Sequence, residues 1–136
     1  MITITSKYLG DLRCESVHTP SAKALTTDAP LDNNGKGETF SPTDLLATAT
    51  LNCMITIMGI KANQSNIDIS GTTGKIDKIM ASEPRRIGEL NIKINVPNKN
   101  LTDKEKTILE RAAMHCPVME SIAESIKKNV EVTFNV

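Results

Sequence analysis

The 136-residue chain is poor in aromatic side chains: it has no tryptophan, and Tyr8, Phe40 and Phe134 are its whole supply. This scarcity excludes a site that works by stacking bases or sugars on rings. A surplus of charge is also absent, because sixteen Lys and Arg balance sixteen Asp and Glu. Binding to nucleic acid or to an anionic membrane requires a basic face, so we expect neither partner.

Motifs for metals, nucleotides and disulfide frameworks are missing as well. No C-x-x-C, H-x-x-H, G-x-G-x-x-G or Walker sequence occurs, so no metal or other cofactor is expected. Gly35-Lys36-Gly37 is interpreted as a flexible loop. The three cysteines, Cys14, Cys53 and Cys116, are an odd number, and in a reducing compartment such thiols are structural or reactive rather than paired.

Targeting and membrane segments are not expected from the pattern of apolar residues. Met1–Ser6 has neither a basic cluster nor a long apolar stretch, so no signal peptide is predicted. The longest apolar segment, about Leu45–Ile60, is interrupted by polar residues and is shorter than the roughly 20 residues of a membrane span. We therefore expect a cytoplasmic protein. The length fits one domain, residues 1–136, with an aliphatic core supplied by fifteen isoleucines.

Alternating apolar residues and turn-forming residues predict strands on both sides of a long helical segment. The first two strands are joined at Gly10-Asp11, which predicts a hairpin turn. A polar loop, Asp28–Thr39, follows the third strand. The predicted strands are Ile2–Tyr8, Leu12–Val17, Ala24–Thr27, Ile67–Thr73, Lys75–Met80, Leu90–Val96 and Val130–Val136.

Ser41-Pro42-Thr43-Asp44 predicts the start of the long helix. Ser41 can cap the helix, Pro42 suits its first position, and Asp44 completes a capping box. The helix should extend to about Ala62, and one apolar face combines Leu46, Ala49, Cys53, Ile57 and Ile60. Because the helix is apolar nearly all round, it must be covered on more than one side, by its own sheet and by a second subunit.

Two further helices are predicted in the C-terminal third of the chain. Thr102-Asp103-Lys104-Glu105 forms another capping box and begins a helix that reaches about His115. Pro117 ends that helix and can occupy the first turn of the next, predicted over Pro117–Lys128. The predicted order is β-β-β-α-β-β-(β)-α-α-β.

The remaining candidate chemistry is that of sulfur. Cys53 lies in the long helix and is either a buried core thiol or a reactive one. Cys116 precedes Pro117 at a cap position, where free amides favour a thiolate, although a small residue at a helix break explains it equally well. Cys14 is interpreted as structural. Neither His115 nor His18 forms a convincing pair with a cysteine.

Two of these segments carry a family resemblance. Residues Ser41–Cys53 resemble the S-P-x-[ED]-L-L-x-A-x-x-x-x-C segment of the OsmC/Ohr family, and His115–Val118 is similar to its C-P-[VI] signature. The resemblance covers essentially the whole chain. It implies an OsmC-like α+β fold, with a long central helix packed on an antiparallel sheet. It also implies an intertwined homodimer whose sites lie at the interface.

The resemblance further implies a thiol-dependent peroxidase that reduces organic hydroperoxides without metal or flavin. Cys53 would be the peroxidatic thiol and Cys116 the resolving thiol, with a dithiol such as a lipoyl group as reductant. Arg13 would stabilise the thiolate and the peroxide, and Asp44 would hold that arginine. Arg85-Arg86 compete for the role of Arg13, and Asp44 has the alternative role of a helix cap.

Two other functions stay open at this point. The first is a non-peroxidatic OsmC-like protein that binds an apolar small molecule, or performs other thiol chemistry, at the dimer interface. Thr43 keeps it open, because some branches of the family have glutamate at that position. The second is a scaffold whose cysteines are inert. Thiol reactivity distinguishes the peroxidase from both.

Overall fold

The computed structural model describes residues 1–134 and contains six strands and three α-helices within them. The elements are β1 Ile4–Gly10, β2 Arg13–His18, β3 Lys23–Asp28, α1 Pro42–Gln64, β4 Thr73–Ala81, β5 Arg86–Val96, α2 Asp103–Met114, α3 Pro117–Ser121 and β6 Lys127–Phe134. The expected α+β class is confirmed. By internal contacts the chain divides into two compact units, Met1–Leu46 and the residues from Ala47 onward.

The first unit contains an antiparallel sheet in the order β1-β2-β3. Asp11 and Leu12 both have positive φ, which is the geometry of a tight hairpin turn, so the turn predicted at Gly10-Asp11 is confirmed within one residue. The loop after β3 is folded back on itself rather than open. A Cβ atom on Gly35 would lie 1.7 Å from the carbonyl oxygen of Ala29, so only glycine fits where these backbones meet.

The second unit contains a sheet in the order β4-β5-β6. Strands β4 and β5 are antiparallel, but β5 and β6 are parallel, so this sheet is mixed rather than purely antiparallel as expected. The reason is topological. A parallel neighbour requires a long crossover, and α2 and α3 provide it between β5 and β6.

Helix α1 packs on the inner face of this second sheet. Gly74 of β4 permits the close approach, because a Cβ atom there would lie 2.8 Å from a methyl group of Leu51 and 3.0 Å from one of Ile55. The buried side chains of the sheet and of all three helices form one apolar cluster. Its fully buried members include Met54, Met58, Ala62, Leu90, Val96, Leu109, Ala113 and Cys116.

Two predicted elements are wrong. Residues 67–72 form turns instead of a strand: the amide of Ile67 bonds to the carbonyl of Ala62, and Asp68 accepts from the amide of Ser70. The last helix ends at Ser121 instead of Lys128. Residues from Lys127 onward are needed in β6, where Val130 pairs with Ile92. The predicted strand end at Val136 lies outside the described residues.

Helix α1 is long and apolar enough to cross a membrane by length and composition alone. Core helices of water-soluble proteins pass the same test. In this structure one side of α1 is buried, through Ala47, Thr50, Met54, Met58 and Ala62.

Candidate functional site

Cys53 lies on the more exposed side of α1. The helix buries Ala47, Thr50, Met54, Met58 and Ala62, which follow one another at intervals of three or four residues. The apolar face described from the sequence is a different one. Within it, Leu46, Ala49 and Ile60 are exposed, and Cys53 and Ile57 are half-buried. A fully buried core cysteine is therefore the wrong interpretation of Cys53.

Cys116 is fully buried, at the junction of α2 and α3. Its extended backbone makes it the N-cap of α3, and its Sγ accepts a hydrogen bond from the amide of Met119 at 3.4 Å. Pro117 follows as the first helical residue, where its missing N–H has no cost. The predicted cap position of Cys116 is confirmed.

The structure brings Cys53 and Cys116 together in the second unit. Both cysteines are free thiols associated with the same apolar core: Cys116 is a buried member of it, and Cys53 packs against it. Burial raises the pKa of Cys116, since a thiolate is poorly solvated there. The amide of Met119 lowers that pKa in part, and the neighbouring Cys53 raises it further. The protonated thiol is therefore the favoured form of Cys116.

Arg13 forms the main ion pair of the first unit. Its Nε donates to Oδ1 of Asp28 at 2.6 Å and its Nη2 donates to Oδ2 at 2.9 Å. The Asp28 side chain is completely buried, while that of Arg13 is 30% exposed. Arg13 lowers the pKa of Asp28 through these bonds, and the pKa of Arg13 is raised in return. The pair is therefore a fixed, fully ionised fork.

Asp44 caps the start of α1. Its Oδ2 accepts from the amide of Ser41 at 2.9 Å, and its own amide donates to Oγ of Ser41 at 3.1 Å. These reciprocal bonds confirm the predicted capping box. The carboxylate that forms a bidentate pair with Arg13 is Asp28. The role of Asp44 as the partner of an arginine stays a prediction.

The other candidate residues serve local structure. Arg86 donates to the carbonyls of Ser82 and Pro84 and so closes its own hairpin. His115 contacts Glu120 at 3.2 Å on the surface, and His18 contacts Ser21 at 2.6 Å. Within residues 1–134, no cluster of three His, Cys, Asp or Glu side chains is placed to hold a metal ion.

Asp28 is the functional residue that sequence reasoning missed. The predicted third strand ended at Thr27, which left Asp28 as the first residue of a polar loop. In the structure β3 includes Asp28, directly opposite Arg13 in the register with β2. The pairing of Asp28 with Arg13 could have been deduced from the sequence. Counting outward from the turn that joins His18 and Lys23 places an acid beside the one arginine of the hairpin.

Comparison with known proteins gives consistent results. The sequence model of the family of OsmC-like proteins matches residues 35–131 of this chain. A solved structure of a candidate osmotic-stress-induced and detoxification response protein from Psychrobacter arcticus is 48% identical, with a TM-score of 0.91. The match covers 97% of this chain and 96% of that one.

More distant structures share the fold. An organic hydroperoxide resistance protein from Elizabethkingia anophelis is 16% identical, with a TM-score of 0.77 over 100% of this chain and 96% of its own. One from Legionella pneumophila is also 16% identical, with a TM-score of 0.71 over 100% and 97%. No curated protein matches the chain.

Proposed function

Because the chain belongs to the OsmC/Ohr family, we propose that it is a thiol-dependent peroxidase that reduces organic hydroperoxides to alcohols in oxidative-stress defence. The observation that carries this proposal is that two free thiols share one apolar core, with Cys116 buried in it and Cys53 half-buried against it. A pair of this kind offers an accessible sulfur for the attack and a protected sulfur for resolution.

Cys53 is proposed as the peroxidatic thiol. It is the more accessible of the two cysteines, since Cys116 is fully buried. The Cys53 thiolate attacks one peroxide oxygen and the O–O bond breaks. The second oxygen leaves as the alcohol after it takes up a proton, and Cys53 becomes a sulfenic acid.

Cys116 is proposed as the resolving thiol. Its sulfur attacks the sulfenic sulfur of Cys53, its proton combines with the departing hydroxyl, and water leaves as the disulfide forms. A small or protein-bound dithiol, such as a lipoyl group, then reduces this disulfide to two thiols and is itself oxidised to a disulfide. The cycle requires no metal and keeps Cys53 from irreversible oxidation.

Arg13 is proposed to stabilise the Cys53 thiolate and the peroxide. Its guanidinium remains charged, and its planar fork can hold a carboxylate while another N–H serves an anion. In this proposal Asp44 contributes by capping the N-terminus of α1, the helix that carries Cys53. We assign Arg13 the larger role, because a cation compensates a thiolate directly.

The preference for organic peroxides is proposed to come from the apolar side of α1. Ala49 and Ile57 are one helical turn from Cys53 on either side, and Ile60 extends the same face. Alkyl groups gain free energy from such a surface, whereas hydrogen peroxide does not.

A homodimer is proposed as the active form. Large apolar side chains are exposed on the first unit and on α1, among them Ile4, Tyr8, Leu25 and Ile60. Large apolar side chains left exposed in this way are typical of protein interfaces. We propose that a second copy of this chain covers them, that the two units act as one domain, and that the dimer works in the cytoplasm.

The deciding experiment mixes the reduced protein with one equivalent of cumene hydroperoxide or hydrogen peroxide. Free thiols and intact mass are followed over time. We expect two thiols and two hydrogen atoms to be lost, faster with the organic oxidant. Slow oxidation without a preference would refute the peroxidase and favour the protein that binds an apolar ligand.

Three serine variants assign the roles. C53S should lose the rapid reaction while it stays folded. C116S should stop at a Cys53 sulfenic acid with one equivalent of peroxide and, when excess peroxide supplies a second equivalent, accumulate the sulfinic acid, visible as two added oxygen atoms. C14S is the matched control, because Cys14 lies in β2 of the first unit, and it should react like the parent protein. Full activity of C53S would show that the assignment of Cys53 is wrong.

A further inference from the structure

Asp28 has an unusual position for a carboxylate, since its side chain is completely buried at the end of β3. It accepts three hydrogen bonds: two from the guanidinium of Arg13 and one from the amide of Glu38, at 3.1 Å to Oδ2. A buried carboxylate is tolerated only when its charge and its lone pairs are satisfied in this way.

The fold fixes this carboxylate from two directions. Asp28 and Arg13 face each other across the β2–β3 ladder, so their backbones hold a constant separation. The backbone amide of Asp28 also donates to the carbonyl of Phe40, and the backbone amide of Glu38 donates to the side chain of Asp28. The loop between Asp28 and Phe40 thus closes on the carboxylate, and neither oxygen can move independently.

This arrangement determines where the guanidinium of Arg13 points. Two parallel N–H bonds to one carboxylate fix the plane of the group as well as its position. Nε and Nη2 form the hydrogen bonds and ion pairs found for the Arg13 guanidinium within residues 1–134, and Nη1 forms none of them. Nη1 therefore keeps its two N–H donors, at a place that the carboxylate sets.

We propose that Asp28 is the positioning residue for Arg13 in the peroxide reaction, in the place that the family pattern gives to the acid at the helix start. The inference rests on the proposed role of Arg13 and adds to it. Glu38 is a weaker candidate, because its carboxylate is 63% exposed and 3.5 Å from Nη2.

The test compares rates of thiol loss with cumene hydroperoxide among folded variants. We expect R13A to be about a hundredfold slower than the parent, as when a transition-state donor is removed. D28N should be about tenfold slower, because the guanidinium remains but is no longer held in place. D44N should be slowed less than D28N. D77N is the matched control, since Asp77 lies on the outer face of β4 near Lys75, and it should react like the parent.

The double variant R13A/D28N separates positioning from other effects. If Asp28 acts through Arg13, the double variant should react at the rate of R13A alone. A further loss in the double variant would overturn the proposal, and so would a D28N variant that reacts like the parent protein. If R13A itself reacts like the parent, the proposal fails while a Cys53-dependent peroxidase survives. A parent protein that does not react with peroxide refutes the proposed function instead.

Alkylation with neutral iodoacetamide gives the readout that a purely structural role would not produce. If D28N only loosened the fold, its buried Cys116 would be alkylated faster than in the parent; positioning predicts slow peroxide reduction with Cys116 still protected. If D28N does not fold, R13K replaces it, because lysine keeps the charge but lacks the fork. R13K should also be about tenfold slower, and a parent-like rate for it would overturn the proposal.

Discussion

The sheet β4-β5-β6 and the sheet β1-β2-β3 have the same number of strands but are stabilised differently. Every buried apolar side chain described in residues 1–134 lies at Ala47 or beyond, where three helices cover the second sheet. In residues 1–46 the buried side chains are polar, Asp28 and Ser41, while Ile4 and Leu25 are exposed. The first unit thus depends on its hydrogen-bond ladders and on one buried ion pair.

The largest expected difference concerns the same substitution in the two sheets. Leu90 in β5 is completely buried, and L90A should lower the free energy of unfolding by about 3 kcal/mol through lost burial and a cavity. Leu25 in β3 is 47% exposed, and L25A should change it by less than about 0.5 kcal/mol. Urea unfolding at low protein concentration measures both.

Protein concentration sharpens this comparison. If a second copy covers the first unit, L25A should become more destabilising as the concentration rises, because the dimer then contributes to stability. The effect of L90A should stay constant. Equal losses from L90A and L25A at all concentrations would contradict the division into a unit with a core and a unit without one.

Two glycine to alanine changes, one in each unit, should have opposite effects on stability. G35A places a Cβ atom against the backbone of Ala29, and we expect a loss of about 1 to 3 kcal/mol. Gly59 lies inside α1, where an added Cβ atom meets nothing within 4 Å, so G59A should stabilise by about 0.5 to 1 kcal/mol. Thermal unfolding of both variants provides the measurement, and a stable G35A would show that the loop can rearrange.

The ion pair of the first unit should give the protein a specific dependence on pH. Arg13 lowers the pKa of Asp28 below its ordinary value of 3.8 by hydrogen bonding, and the amide of Glu38 adds to the effect. The resulting stability is complete above that value and is lost as the pH falls through the lower pKa of the folded state. D28N should therefore melt below the parent at pH 7, and the gap should close in acid.

Thermal melting of both proteins between pH 7 and pH 2 tests this prediction. A gap that stays constant across the range would mean that the stabilisation does not depend on the ionisation of Asp28. L90A is the control from the second unit, since its loss should be similar at each pH where the protein folds.

Local signals in the sequence were sufficient to predict where α1 and α2 begin. Ser41 with Asp44, and Thr102 with Glu105, are capping boxes that depend only on residues three positions apart, and both form as predicted. The end of α3 at Ser121 was not predictable in this way. It depends on the competing demand of β6 for Lys127 onward, a long-range pairing with β5.

The candidate site divides along the same line. Cys53 and Cys116 were recognised because their motifs are local, although the core that both cysteines share is formed by tertiary packing. The orientation of α1 was not predictable, because a helix that is apolar on all sides does not indicate which face it buries. Asp28 was missed because its partner is defined by strand register, and the predicted strand ended one residue too early.

The smallest effect is expected from the second carboxylate near Arg13. Oε1 of Glu38 lies 3.5 Å from Nη2, but its side chain is 63% exposed, so water and salt screen the attraction. E38Q should change the free energy of unfolding by less than about 0.5 kcal/mol, since the backbone bond from Glu38 to Asp28 is kept.

Comparing E38Q with D28N by urea unfolding therefore asks what stabilises the first unit. If both variants lose the same free energy of unfolding, the total negative charge around Arg13 contributes more to stability than the burial of the carboxylate does. If only D28N loses stability, the decisive property is that the Asp28 carboxylate is buried and fully hydrogen-bonded. In that variant the guanidinium loses its charged partner, and an amide NH2 donor replaces an oxygen that accepts hydrogen bonds. We expect the second result, because a sheet with so little buried apolar surface depends on the polar contacts that water cannot replace.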